Sequence, residues 1–172
     1  LYSNATGEYN TASGSGALTS NTTGSWNTAS GQSALRYNTT GNNNTASGSA
    51  ALYSNTTGDN NTASGNNALF SNTTGHYNTA SGYAALQNNT TGWNNSACGD
   101  NALYSNTSGH KNVALGLQAL YSNTTGSNNI GIGSLTNVPS ATSDNQVRIG
   151  NTDITYAGIQ VAWTTTSDKR WK

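Results

Sequence analysis

Apolar residues recur along the chain at a fixed interval of 17 residues, separated by long polar stretches. The frame LYSNATGEYNTASGSGA opens the chain and is repeated eight times, each time beginning with Leu. Asn always fills frame positions 4 and 10, and Gly always fills positions 7 and 14. A fixed period of this length predicts a stack of similar small units instead of an ordinary globular core. The repeats begin at Leu1, Leu18, Leu35, Leu52, Leu69, Leu86, Leu103 and Leu120.

The composition of each repeat excludes helix and favours short strands joined by turns. Gly, Asn, Ser and Thr are all poor residues for a helix interior. Two segments per repeat are predicted strands: the NTASG segment and the xALYS segment. Asn-Thr-Thr-Gly stretches such as 55–58, and the residues after Gly14 and its equivalents, are predicted turns. The sequence therefore predicts an all-β fold, a parallel β-roll or β-solenoid of 17-residue coils whose invariant Asn residues stack as side-chain ladders.

Substitutions in the last two repeats predict which strand face lies inside. The first and third residues of the TAS segment become Val113 and Leu115 in the seventh repeat. In the eighth repeat both are Ile. Large apolar residues at these places predict that Thr11, Ser13 and their equivalents point inward, together with the Leu of each repeat. Cys98, which replaces a Ser in this row, is then expected to be a small buried substitute.

The Ala residues alternate with this row and are therefore predicted to face outward. Ala12, Ala17 and their equivalents would form rows of small residues that let another chain approach closely. A single 17-residue coil buries little apolar area on its own. Both points predict association of several chains, and we expect a homotrimer.

Composition and charge narrow the possible functions. Charged residues are only 7% of the chain and the net charge is zero, so we expect neither nucleic acid nor membrane as a partner. The six acidic residues are scattered, which predicts no metal site, no cofactor and no pair of glycosidase carboxylates. We therefore predict that the chain is not an enzyme. The absence of Met predicts that it is part of a longer protein.

Aromatic residues occupy variable frame positions and are the candidate binding residues. Trp26, Tyr77, Tyr83 and Trp93 are candidate contacts for a host-surface glycan, because aromatic rings stack on sugar rings. The alternative is that they pack against strand edges or other chains. The Asn-Thr-Thr triplets match N-glycosylation sequons, and we interpret them as turns.

The period fails near the only proline, Pro139, which divides the chain. We assign residues 1–136 to eight solenoid repeats and 137–145 to a linker. Residues 146–166 alternate in polarity and are assigned to a β-strand tail, an intertwined β region at a trimeric junction. Residues 167–172 are assigned to the start of a cleavage motif.

The C-terminal 26 residues or so resemble a known processing junction. Val-Arg-Ile-Gly-Asn (147–151) followed by Trp-Thr-Thr-Thr-Ser-Asp-Lys-Arg-Trp-Lys (163–172) is similar to the segment that opens the intramolecular chaperone of endosialidase-type phage tailspikes and related fibres. The resemblance implies a chaperone that drives trimer assembly and then cleaves itself off between Ser167 and Asp168. It implies Ser167 as nucleophile and Lys172 as base, which would need a lowered pKa.

The repeats also resemble, more loosely, the head of trimeric autotransporter adhesins. Asn-Val-Ala-Leu-Gly (112–116) and Asn-Ile-Gly-Ile-Gly (129–133) are similar to the Asn-x-x-Ala-Ile-Gly signature of that family, and the Asn-Thr-Ala-Ser-Gly repeats depart from it. The resemblance implies a trimeric parallel β-roll. We therefore predict a structural and adhesive segment of a tail fibre on a virion surface or of an extracellular, cell-surface fibre. The alternatives are an ice-binding solenoid and a glycan-degrading tailspike.

Overall fold

The computed structural model describes residues 1–154, which form an all-β parallel solenoid with one strand in each coil. The strands are all parallel, and each pairs in register with residues 17 positions further along the chain. They are β1 (Thr11–Ser13), β2 (Thr28–Ser30), β3 (Thr45–Ser47), β4 (Thr62–Ser64), β5 (Thr79–Ser81), β6 (Ser96–Cys98), β7 (Val113–Leu115), β8 (Ile130–Ile132) and β9 (Val147–Ile149). The predicted fold class and the 17-residue coil are confirmed.

The second predicted strand is wrong, because the ALYS segment forms a turn. The Leu that opens each inner coil lies in the left-handed region, with φ of 52° at Leu52. Its backbone still bonds the next coil, since the Leu52 N–H donates to the Ala68 carbonyl at 3.0 Å. A left-handed Leu costs roughly 1–2 kcal/mol. Burying its side chain recovers roughly 1.5–3 kcal/mol, so the conformation is sustained by the core.

The predicted orientation of the strand is also wrong: Ala points inward, and Thr and Ser point outward. Ala46, for example, is fully buried between Thr45 and Ser47, which are both exposed. Ala51, at the last frame position, is also buried, which corrects the outward placement of that row. Cys98 is exposed, so it is not the buried substitute that the sequence predicted.

The narrow interior of the coil explains this orientation. The buried Leu side chains lie directly opposite the middle residue of each strand. At Gly131, which stands where other coils have Ala, an added Cβ would lie 2.7 Å from Leu120 Cγ. Ala and Leu thus fill the space, and no room remains for the branched residues of β7 and β8. The predicted burial of the Leu row is confirmed.

Two ladders of buried Asn side chains link the coils, as the sequence predicted. In the first ladder, Asn72 Nδ2 donates to Asn55 Oδ1 at 2.8 Å and to the Gly75 carbonyl at 2.9 Å. In the second, Asn61 Nδ2 donates to the same Gly75 carbonyl at 2.8 Å, and Asn61 N–H donates to Asn44 Oδ1 at 3.0 Å. The Gly carbonyl therefore joins both ladders. Within residues 1–154, no buried side-chain nitrogen or oxygen lacks a hydrogen-bond partner.

The Gly at frame position 7 is required by close approach between coils. A Cβ added at Gly41 would lie 2.5 Å from both Asn38 Oδ1 and the Gly58 carbonyl oxygen. No carbon can occupy that position without separating the coils. Any larger residue would therefore break the contact that carries the ladders.

The coil register continues beyond the eight repeats. Residues 137–145, assigned to a linker, lead into β9, which pairs with β8 at the same 17-residue offset. Gln146 takes the place of the Asn at frame position 10: its N–H donates to Asn129 Oδ1 at 2.8 Å and its Nε2 to the Ser143 carbonyl at 2.8 Å. Residues 155–172 lie outside the described range, and with them most of the predicted tail.

We expect Gly41→Ala to destabilise the solenoid by about 3 kcal/mol or more, because the new methyl group overlaps two oxygen atoms. Chemical denaturation followed by far-UV circular dichroism measures this loss. Thr40→Ala, an exposed neighbour, is the control and should stay within about 0.5 kcal/mol of the parent. Equal stability of the two variants would contradict the close-approach argument.

We expect Asn72→Ala to cost about 3 kcal/mol, because Asn55 Oδ1 loses its donor and Asn89 Nδ2 loses its acceptor in a buried site. Asn66→Ala removes an exposed Asn from the adjacent turn and should change stability by less than about 0.5 kcal/mol. The comparison uses the same denaturation assay. A loss at Asn72 no larger than that at Asn66 would show that the ladder contributes nothing.

Candidate interaction surface

The outward-pointing first and third residues of β1–β9 form one continuous surface, which we call the strand face. In β1–β5 each strand contributes a Thr and a Ser. Ser96 and Cys98 follow in β6, and β7–β9 contribute only Val, Leu and Ile. Because neighbouring strands pair in register, each residue of the face lies beside its equivalent in the next coil. The face thus changes from hydroxyl-bearing to apolar along its length.

The hydroxyl part of the strand face is free of internal hydrogen bonds. Within residues 1–154, its Thr and Ser side chains bond no other protein group, whereas turn threonines such as Thr56 donate to the next coil, here to the Thr73 carbonyl at 3.0 Å. Rows repeat at about 4.8 Å across the strands, and the two hydroxyls of one strand are about 6.6 Å apart. The result is a regular array of hydroxyl groups that point to solvent.

The apolar part of the strand face is exposed over three consecutive strands. Val147 and Ile149 are 62% and 64% exposed, and Leu115 and Ile132 are 42% and 38% exposed. Leu117 and Leu135 lie beyond the ends of β7 and β8 and are about half exposed. A contiguous apolar surface of this kind indicates an interaction site.

The four candidate glycan residues do not form one cluster. Trp26 and Tyr77 share frame position 9 but lie three coils apart, about 14 Å along the axis. Both are more than half exposed, as is Tyr83 at frame position 15. These three residues present ring surface to solvent, although Tyr9 stacks on one face of Trp26 at 5.5 Å.

Trp93 lies inside a stack and offers little more than its edge. The His110 ring is parallel to it at 4.6 Å, and the His76 ring lies on the other side at 6.1 Å. Lys111 Nζ is 5.0 Å from the ring centroid. Neighbouring side chains therefore occupy the faces on which a sugar ring would stack.

Other aromatic side chains also form columns because they share a frame position. Tyr53 stacks on Phe70 at 4.8 Å, and Tyr104 stacks on Tyr121 at 5.1 Å. The adjacent side chain of Tyr37 raises the pKa of Tyr53 above its ordinary value. The sequence carried a signal for these columns, namely aromatic residues at frame position 2 in consecutive repeats.

One Ser–His contact has some features of a catalytic pair but not the required arrangement. Ser127 Oγ lies 3.0 Å from His110 Nδ1. The neighbouring carboxylate, Asp144, accepts a hydrogen bond from the Ser127 backbone N–H, so it does not orient the imidazole. Ser127 is also 92% buried, being only 8% exposed. The contact links three coils and gives no access to a substrate.

The described residues offer no other assembled chemical site. A cleft of about 190 Å³ near the end of the described residues has one carboxylate among its described lining residues, fewer than the two that glycosidases use. Residues 1–154 contain no group of three His, Cys, Asp or Glu side chains arranged to hold a metal. Ser167 and Lys172, the residues implied for autocleavage, lie outside the described range. The cleft is lined by Leu135, Asn137, Arg148, Asn151, Thr152 and Asp153.

The sequon asparagines are inaccessible in the folded chain. Asn55, in the Asn-Thr-Thr triplet of the fourth repeat, is fully buried, and its Nδ2 donates to both Asn38 Oδ1 and the Gly58 carbonyl. Glycosylation would remove this amide from the ladder.

Comparisons with known proteins add no family. No protein-family model, no curated protein and no solved structure matches the chain. Within residues 1–154, no helix is present that could cross a membrane. The function is therefore inferred from the exposed side chains of the solenoid.

Proposed function

We propose that the chain is a structural and adhesive shaft segment of a fibre on a virion or cell surface, assembled as a homotrimer. Its regular coils supply length and stiffness, and its side chains supply repeated surface contacts. This proposal gives the chain no catalytic role in its solenoid part.

The observation that carries the proposal is the exposed apolar end of the strand face. Six apolar side chains on three adjacent strands stand partly in water in a single chain. Covering them would stabilise an assembly by roughly 5 kcal/mol per chain, taking about half of the usual burial of each side chain. A second and third copy of the same chain present matching surfaces.

The two resemblances described above support an assembly of three chains and the cleavage of a C-terminal chaperone. The Asn-Val-Ala-Leu-Gly segment of residues 112–116 resembles trimeric adhesin heads, which favours three chains. The similarity of residues 163–172 to a chaperone junction supports a self-cleaving chaperone, with Ser167 as nucleophile and Lys172 as base.

Adhesion is assigned to exposed rings on the turns. Trp26, Tyr77 and Tyr83 offer ring surface for stacking on a host-surface glycan. Trp93 would contribute its edge and would hold the neighbouring imidazoles in place. No cofactor or metal enters this proposal.

The double variant Ile130→Thr/Ile132→Ser tests the proposal by giving β8 the chemistry of β2–β5. The fold should persist, because other coils carry these residues at the same places. We expect the dissociation constant of the assembly to rise at least about tenfold, since apolar burial is lost. Sedimentation equilibrium measures this constant.

A matched control removes apolar area elsewhere. Tyr104→Thr/Tyr121→Thr shortens an aromatic column away from the strand face and should leave the association unchanged. A monomeric parent chain at all concentrations, or equal association of the two double variants, would overturn the proposal.

A second candidate function, ice binding, is favoured by one observation. The hydroxyl rows of β1–β5 face solvent in a regular array, and a flat lattice of hydroxyls suits ordered water. Ice binding needs the strand face exposed to solvent, whereas self-association buries it. The two functions therefore compete for the same surface.

Thermal hysteresis of the purified chain tests this second candidate. If ice is the ligand, Thr45→Lys should abolish most of the hysteresis, because it places a long charged side chain in the middle of the array. Thr57→Lys makes the same change on an exposed turn outside the strand face and should have no effect. Absence of hysteresis in the parent chain excludes the candidate.

A further inference from the structure

We propose that the chains associate through the strand face in parallel and in register, with the apolar surface of β7–β9 as the part that fixes the alignment. This inference rests on the self-association proposed above and adds its geometry. The partner is a second copy of this chain.

The chemical asymmetry of the strand face selects the direction. In a parallel pair, the Val, Leu and Ile side chains of β7–β9 meet the same side chains of the partner. In a fully overlapping antiparallel pair, they would meet the Thr and Ser side chains of β1–β3. That arrangement would bury hydroxyls against apolar groups that offer them no hydrogen bond.

The boundary at β6 and β7 selects the register. A slip of one coil would place Ser96 and Cys98 against apolar side chains and would leave one apolar strand uncovered. In register, each hydroxyl-bearing strand faces the same strand of the partner chain. Because a hydroxyl both donates and accepts, the Thr and Ser side chains of facing strands can pair with each other.

The distribution of charge fits such a self-match. In register, each coil meets the same coil of the partner, so a charged residue near the contact would lie close to a like charge. The strand face of β1–β9 contains no Asp, Glu, Lys, Arg or His. The charged residues of the inner coils, such as Asp59, Asp100 and Lys111, all lie outside the strands. Chains related in this way form a closed assembly about an axis along the solenoid.

Cysteine cross-linking tests the geometry on the full chain. Cys98 is the only cysteine and lies on the strand face in β6, so two copies in register bring their thiols together. Ser30→Cys/Cys98→Ser moves the single thiol to β2, far from the middle of the face. Thr23→Cys/Cys98→Ser places it in the same coil but on an exposed turn. Each chain is treated with a short bismaleimide and resolved by denaturing electrophoresis.

We expect the parent chain and the Ser30→Cys variant both to form covalent dimers, at least about tenfold more than the Thr23→Cys variant, because association raises the effective concentration of facing thiols. An antiparallel pair would place the two Ser30→Cys thiols six coils apart, about 29 Å, beyond the reach of the reagent. Cys98→Ser alone should give no product.

Sedimentation and cross-linking together distinguish parallel, in-register alignment from self-association as such. If sedimentation shows an oligomer but the Ser30→Cys variant cross-links no better than the Thr23→Cys variant, parallel register is wrong and self-association stands. If sedimentation shows only monomer, both fail. Cross-linking of both strand-face thiols in an oligomer supports both.

Discussion

The carbonyl oxygen of the Gly at frame position 7 is the contact on which the rest of the solenoid depends. It accepts from two Asn side chains, one from each ladder, and it lies against the equivalent Gly of the adjacent coil. This sets the distance between coils and explains why Gly fills the position in all eight repeats. Once the coils are fixed at that distance, backbone bonds, Asn ladders and aromatic columns all repeat at the same spacing.

A narrow interior follows from this polar scaffold. Each coil encloses one Leu and two small residues, and buried Asn side chains occupy much of the remaining interior. Such a polar network is stable because every buried side-chain nitrogen and oxygen of the described residues has a hydrogen-bond partner. The chain therefore places its large residues outside, where they form columns and the apolar end of the strand face. Surface chemistry becomes the part of the molecule that can vary without altering the fold.

The sequence predicted the period, the parallel stacking, the Asn ladders and the buried Leu row because each depends on residues that recur without exception. The strand orientation could not be obtained in the same way. The alternation of strand residues separates two faces but does not show which face lies inside. Val113 and Leu115 indicated a core position, whereas they lie on the outward strand face. The left-handed Leu turn also had no local signal, since Leu disfavours that conformation. The ninth coil could not be recognised from the repeat pattern, because Ser143 replaces Gly at frame position 7 and Gln146 replaces Asn at frame position 10. Both residues nevertheless keep the hydrogen bonds of the ladder.

The side-chain ladders also have a direction. In the second to seventh repeats, the Asn at frame position 4 donates its amide hydrogen to the Asn of the preceding coil and accepts from the Asn of the following one, as Asn72 does between Asn55 and Asn89. The amide dipoles of a ladder are therefore aligned, with their positive ends toward the first coil. Aligned peptide dipoles in an α-helix add up to a partial charge at each end. The two amide columns should add in the same way, so the rod is electrically polar along its axis even though its formal net charge is zero.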